Sequence, residues 1–166
     1  MFIRTKKVKG YEYAYIVANK WKKGKVKQKT KKYLGRVYRF EKSANVSFFE
    51  FYNITSMESY VKNTPKIKIL KDLIQLELHN HGFQKHGDVW QNKSCYVDVS
   101  NLRIFNNKGK NIALAFNDGF LTNYTIRTII RIKPTTDQDV YRLAKAFVEA
   151  GINIPKEIFV GIYNKL

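Results

Sequence analysis

The chain is poor in cysteine and, at its N-terminal end, in acidic residues. Its single cysteine, Cys95, excludes an intramolecular disulfide framework, and such usage is typical of a protein kept in a reducing interior. No apolar run approaches the roughly 20 residues that a membrane-spanning helix needs, and the N-terminus has no apolar stretch of the signal-peptide kind. These features predict a cytoplasmic protein without a membrane partner.

The charge of the chain is distributed unevenly. The sequence contains 31 Lys and Arg residues against 13 Asp and Glu residues, which gives a net charge of +18. Among the first forty residues 14 are basic, and Glu12 is the only acidic one, so this segment carries 14 − 1 = 13 net positive charges together with eight aromatic residues. A concentrated basic and aromatic surface indicates a polyanion as the binding partner.

The first forty residues also have a strand-like pattern. It predicts a three-stranded antiparallel meander with strands at 2–8, 11–19 and 25–34 and with turns at the two Lys-Gly pairs. Because side chains alternate along a strand, Tyr11, Tyr13 and Tyr15 are expected on one face, and Lys25, Lys27, Lys29 and Lys31 in a row on one face of the third strand. Four like charges about 7 Å apart repel one another unless an anion lies along them.

Two structural explanations compete with the functional one. Lysines on an edge strand discourage aggregation between sheets, and some of the tyrosines must form a small core under the sheet. The edge-strand explanation leaves the surrounding basic residues unexplained. The residues assigned to a nucleic-acid-binding surface are therefore Arg4, Lys6, Lys7, Lys9, Tyr13, Trp21, Lys22, Lys23, Lys25, Lys27, Lys29, Lys31, Lys32, Arg36 and Arg39.

The rest of the chain predicts an α+β domain of antiparallel strands packed with helices at 65–166, reached through a connecting segment at 41–64. The connecting segment contains a short helix with a capping box from Thr55 to Glu58. Helices are expected after a Thr64 cap and Pro65, after a Thr136 cap, and after Pro155. We expect a strand at 95–99, a hairpin formed by 102–105 and 112–116, and a strand at 120–133, where β-branched residues are dense.

The sequence contains few signs of catalytic chemistry. The phosphate-binding GxxxxGK[ST] loop, a GxGxxG loop after a strand and the GxSxG elbow are all absent from the sequence. Two sets of side chains leave a metal site open: His79, His81 and His86 with Cys95 for zinc, and Asp88, Asp98 and Asp118 for two-metal cleavage of phosphodiesters. Histidines near a helix end also complement the helix dipole, and Asp is common in turns, so we predict neither a catalytic residue nor a cofactor.

The first forty residues resemble the N-terminal module of certain prokaryotic insertion-sequence transposases. The stretches that carry the likeness are Phe2-Ile3-Arg4, 13–17, Gly24-Lys25-Val26-Lys27-Gln28 and Tyr33-Leu34-Gly35-Arg36. The remaining sequence departs from those enzymes, which continue into a long catalytic domain with a carboxylate triad. The resemblance implies a basic nucleic-acid-handling module without transposition.

In size, α+β build, and basic and aromatic character, the whole chain resembles the small archaeal ThermoDBP-related single-stranded-DNA-binding proteins. That resemblance implies a cleft for unpaired bases and assembly into homodimers or larger homo-oligomers. The residues lead to the same class, because unpaired bases can stack on aromatic side chains while cations hold the backbone, and no basic recognition helix is visible for a duplex groove.

The sequence therefore predicts a non-catalytic protein that binds single-stranded DNA or RNA with little sequence specificity. Two alternatives stay open. One is a protein that binds structured RNA or the ribosome through the same basic surface, and the other is a metal-dependent nuclease that uses the three aspartates.

Overall fold

A computed structural model describes residues 1–164 and has mixed α+β architecture, as the sequence predicts. Within that range it contains nine strands and six helices. The strands are β1 Phe2–Val8, β2 Tyr11–Lys22, β3 Lys25–Arg39, β4 Gln84–His86, β5 Val89–Asn92, β6 Cys95–Asp98, β7 Arg103–Asn106, β8 Ile112–Phe116 and β9 Gly119–Leu121. The helices are α1 Phe48–Tyr52, α2 Met57–Asn63, α3 Lys66–Asn80, α4 Asn123–Arg131, α5 Asp137–Glu149 and α6 Lys156–Asn164.

The predicted N-terminal meander is confirmed. Strands β1, β2 and β3 pair antiparallel in sequence order. Both connections are two-residue Lys-Gly turns in which all four residues have positive φ, from 48° at Lys9 to 80° at Gly10. Such turns match the twist of the paired strands, which is why a local Lys-Gly signal was enough to locate them. The second and third strands run further than predicted, to Lys22 and Arg39.

The meander continues into the rest of the protein through a parallel pairing of β3 with β8. The sheet has the order β1-β2-β3-β8-β9, and Arg36 of β3 lies opposite Ile112 of β8. Gly35 permits this approach, because a Cβ atom there would lie 2.4 Å from the Asn111 carbonyl oxygen, and its φ of +127° disfavours other residues. The N-terminal segment at 1–40 and the domain predicted at 65–166 thus both contribute strands to one sheet.

The hairpin predicted from 102–105 and 112–116 forms only in part, as a single antiparallel bridge between Phe105 and Asn111. Strand β7 instead pairs with β6 in a second sheet of order β4-β5-β6-β7, while β8 joins the first sheet between β3 and β9. All five residues of β8 are buried. A continuous buried run is typical of a central strand covered on both faces, so burial in the first sheet prevailed over a local turn signal.

The strand predicted at 120–133 is also wrong for most of its length. Strand β9 ends at Leu121, and α4 begins after Thr122, whose side chain accepts a hydrogen bond from the Thr125 backbone N–H. The Thr125 side-chain oxygen in turn accepts a hydrogen bond from the Thr122 backbone N–H, which completes a capping box with Thr in place of the usual Glu. The buried Ile126 and Ile129 then lie on one face of the helix, so capping and burial prevailed over β-branched propensity.

The remaining helix starts agree with the sequence in part. The Thr136 cap is confirmed by its bond from the Asp139 N–H, and α6 begins just after Pro155. The predicted caps of α2 and α3 are each displaced by one residue. Ser56, not Thr55, caps α2, and Pro65, not Thr64, occupies the N-cap of α3, where it has no side-chain capping bond.

Most of the core lies between the helices and both sheets. It is built around α3, whose buried residues include Leu70, Leu73 and Ile74, and it includes Ile112, Leu114 and Phe116 of β8. A smaller cluster on the opposite face of the first sheet contains Ala14, Ile16, Leu34, Val37, Ala113 and Ala115, with Phe120 and Tyr124 packed against it. Within residues 1–164, no helix combines the length and apolar character needed to cross a membrane.

Candidate nucleic-acid interface

The β2–β3 hairpin extends beyond both hydrophobic clusters as an exposed arm. Every residue from 19 to 33 is exposed, and we call this segment the lysine arm. It contains eight lysines, and no acidic residue occurs anywhere between Glu12 and Glu41. The eight are Lys20, Lys22, Lys23, Lys25, Lys27, Lys29, Lys31 and Lys32.

The strand register places lysines of the arm directly opposite one another. Lys20 pairs with Lys27, and Lys22 pairs with Lys25 across the hairpin. Directly opposite residues have Cβ atoms about 4.5–5.5 Å apart, and like charges in such pairs destabilise a sheet. A row of phosphates along this face would neutralise the repulsion between the lysines. The arm is therefore electrostatically complementary to a polyanion.

The predicted lysine row is longer on this face than the sequence indicated. Lys25, Lys27 and Lys29 alternate along β3, and a register shift between Ile16 and Val17 then brings Lys31 and Lys32 together opposite Ile16. Lys32 lies over the ring of Tyr124, 5.4 Å from its centroid. The lysine row therefore lies on the same sheet face as Ile16, which is buried nearer the base of the hairpin. The row consists of the five β3 lysines and their partners Lys20 and Lys22.

The tyrosines occupy the opposite face of the meander. Tyr13 lies between Lys6 and Arg36, and Tyr15 lies between Arg4 and Tyr33. We call Tyr11, Tyr13, Tyr15, Tyr33 and Tyr38 the tyrosine face. The ring centroid of Tyr33 is 5.3 Å from that of Tyr15 and 6.3 Å from that of Tyr13, so the three rings form a continuous aromatic cluster.

Cations lie over three rings of the tyrosine face. The Arg36 guanidinium is 3.8 Å from the ring centroid of Tyr11 and 5.0 Å from that of Tyr38, and the Lys6 ammonium is 5.7 Å from that of Tyr15. Partial desolvation of the hydroxyl and the neighbouring tyrosines raise the pKa of Tyr33, so it remains a neutral hydrogen-bond donor. The tyrosine face therefore combines stacking surfaces, donors and positive charge.

The other predicted residues lie at the tip and base of the hairpin. Trp21 is 77% exposed near the tip, opposite the exposed Val26. Lys9 and Lys23 lie in the two tight turns, and Arg4 donates a hydrogen bond to the Gln28 side-chain oxygen. These groups remain at the surface of the meander.

Arg39 differs from the other predicted residues because its charge is already paired. Its Nε and Nη2 atoms donate to the two carboxylate oxygens of Glu12 at 2.9 and 2.6 Å. The Arg39 hydrogen bond lowers the pKa of Glu12, and Lys7 lies opposite Glu12 in the register. Arg39 and Lys7 thus share the single carboxylate of the segment, which makes them weaker candidates for phosphate contacts than the arm.

A cleft that the sequence did not reveal lies beside the tyrosine face. It has a volume of about 430 Å³, and its lining includes Tyr13, Tyr33, Arg36 and Tyr38 on one side and residues 106–108 and 110–112 on the other. The sequence predicts a hairpin turn at these loop residues. Its only indication of a binding role is that three asparagines and two lysines occur within residues 106–111. Strand β3 brings its tyrosines to this loop through its pairing with β8.

The histidines predicted as possible metal ligands do not converge on a site. His81 is buried, its ring stacks on Phe116 at 4.2 Å between centroids, and burial lowers its pKa, so at neutral pH it carries no charge to complement the helix dipole. His79 packs beside Phe51, and His86 is in the exposed strand β4. Cys95 is buried, which raises the pKa of its thiol to about 11.

The aspartates of the nuclease alternative lie in separate places, Asp98 at the end of β6 and the other two in turns. Asp98 accepts hydrogen bonds from the backbone and side chain of Asn101, Asp88 lies between β4 and β5, and Asp118 lies between β8 and β9. Across residues 1–164, no three His, Cys, Asp or Glu side chains are grouped so that they could hold a metal ion.

No family model, curated protein or solved structure matches this chain.

Proposed function

We propose that the protein binds single-stranded DNA or RNA through the lysine arm, with little sequence specificity, in the cytoplasm. The observation that carries the proposal is the pairing of Lys20 with Lys27 and of Lys22 with Lys25 on an arm that contains no carboxylate. Such like-charge pairs destabilise the hairpin until a bound anion neutralises them, so a role in binding explains their presence. The cellular location is supported by the single, buried cysteine, which suits a reducing compartment.

Two features favour a single strand over a duplex. The tyrosine face and the exposed Trp21 present aromatic surfaces, and only unpaired bases have faces free to stack on them. The basic surface is formed by strands, while the common readers of a duplex insert a helix into the major groove. The lysine row contacts the backbone in this proposal, which explains the expected lack of sequence preference.

The proposal is tested by the salt dependence of binding. Anisotropy of labelled oligonucleotides of equal length would be measured over a salt series for single-stranded DNA, single-stranded RNA, duplex DNA and a structured RNA. A triple substitution of Lys25, Lys27 and Lys29 by Ala is expected to weaken single-strand binding. It should also reduce the slope of log K against log salt by about 2, since each lost single-strand phosphate contact contributes about 0.7.

A matched control separates the arm from the overall charge. Substituting the exposed Lys62, Lys133 and Lys156 by Ala removes the same three charges from other parts of the surface. The control variant should keep most of the affinity and slope. Equal effects of the two triple substitutions would refute the arm as the binding site. Tight binding to structured RNA that unpaired strands do not displace would favour the structured-RNA alternative.

A further inference from the structure

We propose that the cleft between the tyrosine face and the β7–β8 loop, residues 107–111, binds unpaired bases of the same strand, at nucleotides next to those whose phosphates the lysine arm holds. This inference rests on the proposed function. It identifies a binding site for the bases, whereas the lysine row contacts only the phosphates. The site is distinct from the lysine row, because the register places the row and the tyrosines on opposite faces of the meander.

One wall of the cleft is a sheet face that emerges from the core. Ile112 and Leu114 of β8 are buried under the helices, and their neighbours Arg36 and Tyr38 on β3 continue the same face outward. Tyr13 and Tyr33 extend it further. The stacking surfaces are therefore mounted on a sheet anchored in the core, so little entropy is lost in ordering them when a base binds.

The other wall is a loop held in shape by its own hydrogen bonds. The Asn106 side-chain oxygen accepts from the backbone N–H groups of Lys108 and Lys110, each at 3.0 Å, and the Asn107 backbone N–H donates to Ser94. Asn111 accepts a bond from the Asn123 side chain, which ties the loop to α4. The loop thus presents its exposed side chains from a fixed backbone.

The chemistry of these two walls suits a nucleotide. Tyrosine rings offer faces for stacking, and the exposed Asn107 amide carries both a donor and an acceptor, the combination that the edge of an unpaired base requires. Arg36, Lys108 and Lys110 supply positive charge beside the cleft for the phosphate. A volume of about 430 Å³ also falls within the range of about 300–1,000 Å³ that is usual for ligand sites.

Tyr33 lines both this cleft and a second hollow. The second hollow has a volume of about 520 Å³ and shares Tyr33, Lys110 and Asn111 with the first, while Arg103 lines only the second. Tyr33 is 54% exposed, so its ring is available to a ligand. In this proposal, a strand that occupies both hollows contacts Tyr33 in each of them.

The test combines protein substitutions with strands that lack bases. Wild-type protein and Tyr33→Ala would be titrated with an ordinary oligonucleotide and with an abasic strand of the same length. We expect Tyr33→Ala to weaken binding of the ordinary strand by about 5- to 160-fold, the range for one stacked base. Its salt slope should be unchanged, and binding of the abasic strand should be unaffected. Tyr33→Phe should restore the affinity, because the ring is kept.

Two further variants make the result specific. Tyr141 is 71% exposed on α5, so Tyr141→Ala removes an equally accessible ring elsewhere and should bind like wild type. Asn107→Ala alters the loop wall at an exposed side chain and should weaken binding of the ordinary strand alone. Circular dichroism and thermal melting would confirm that each variant is folded.

The possible failures are distinguishable. If the arm substitutions reduce binding as expected while ordinary and abasic strands bind wild-type protein equally, the base-binding cleft is refuted and the proposed function stands. If neither strand binds in an arm-dependent way, the proposed function itself fails. A loss of abasic-strand binding in Tyr33→Ala equal to that of the ordinary strand would also overturn the cleft, since Tyr33 would then act on the backbone.

Discussion

Lys20 of β2 lies directly opposite Lys27 of β3, so two ammonium-bearing side chains share one face of an exposed hairpin. Lys22 and Lys25 repeat the arrangement towards the turn. Opposite-charge pairs at such positions stabilise a sheet by roughly 0.2–1 kcal/mol, and like charges have the reverse effect. The arm therefore has a charge pattern that favours binding of an anion at the expense of stability.

Replacing Lys27 by Glu is expected to separate stability from binding. The new carboxylate would face Lys20, so the free energy of unfolding should rise by about 0.2–1 kcal/mol at low salt. Affinity for a single strand should fall, because the arm loses two units of net positive charge. Urea unfolding and anisotropy would measure the two effects. Lys27→Gln serves as the control, with a smaller change in each, and a parallel loss of stability and affinity would contradict the prediction.

Trp21→Ala tests whether the aromatic residue at the hairpin tip contacts a ligand. Its side chain is largely exposed and packs in neither hydrophobic cluster, so the melting temperature should change little. Binding to single strands should weaken by about 1–3 kcal/mol if the indole stacks on a base. The salt slope should stay the same. Trp21→Phe is expected to retain most of the affinity, and a drop in thermal stability without a change in affinity would assign the residue a structural role.

Gly35→Ala should disrupt the junction between the meander and the rest of the sheet. The added methyl group would lie 2.4 Å from the Asn111 carbonyl oxygen and 2.8 Å from the Ile112 Cα atom, at a φ unfavourable for alanine. We expect a loss of at least about 3 kcal/mol in the free energy of unfolding, because backbone strain and the broken pairing add.

Gly10→Ala is the matched control for that substitution. Gly10 also has positive φ, yet nothing lies within 4 Å of the added Cβ atom. Its cost should be only about 1 kcal/mol, the strain of a left-handed alanine. Chemical denaturation of both variants compares the two values, and equal losses would show that close approach to β8 is not what requires glycine at position 35.

His81 predicts a pH dependence of stability. Its Nδ1 atom lies 2.7 Å from the Glu77 carbonyl oxygen, so Nδ1 carries the proton, and burial lowers the pKa in the folded state despite the nearby Glu77 carboxylate. The unfolded state therefore takes up a proton first. The stability from the neutral ring is fully present above about pH 6.5, the unfolded pKa, and is lost as the pH falls towards the folded pKa.

His81→Asn should remove that component of the pH dependence. Urea unfolding at about pH 7.5 and pH 5.5 is expected to give a smaller difference for this variant than for wild type, although its absolute stability is lower because the stacking on Phe116 is lost. His86→Gln removes an exposed histidine and should keep the wild-type difference. An unchanged pH dependence in His81→Asn would show that another group titrates in this range.

Sequence reasoning succeeded where the signal was local. The Lys-Gly turns, the Thr136 cap and the helix after Pro155 each depend on residues within one turn of chain, and all are confirmed. It failed for the segment after Leu121, where a Thr-Thr capping box and two inward isoleucines outweighed β propensity. The hairpin assigned to β7 and β8 is limited to one bridge for a related reason, since β8 pairs on one side with β3, which is far away in sequence, and on the other with β9.

The candidate interface was predictable to a similar extent. The concentration of lysines and the alternation that aligns them follow from the sequence, and the structure extends the row through a register shift at Lys31 and Lys32. The cleft beside Tyr33 was not predictable, because its two walls come from segments separated by about seventy residues and meet only through the first sheet.

The sequence by itself determined the charge of the N-terminal segment, the absence of carboxylates from the arm, and the local turns and helix caps, because each of these depends on residue type and short-range geometry. Only the tertiary structure decided that β3 pairs parallel with β8, that the lysines and tyrosines lie on opposite faces, and that Tyr33 borders a cleft. Strand partners are selected by the burial and packing of the whole sheet, and a β-bulge changes which side chains share a face, so neither can be deduced from one segment alone.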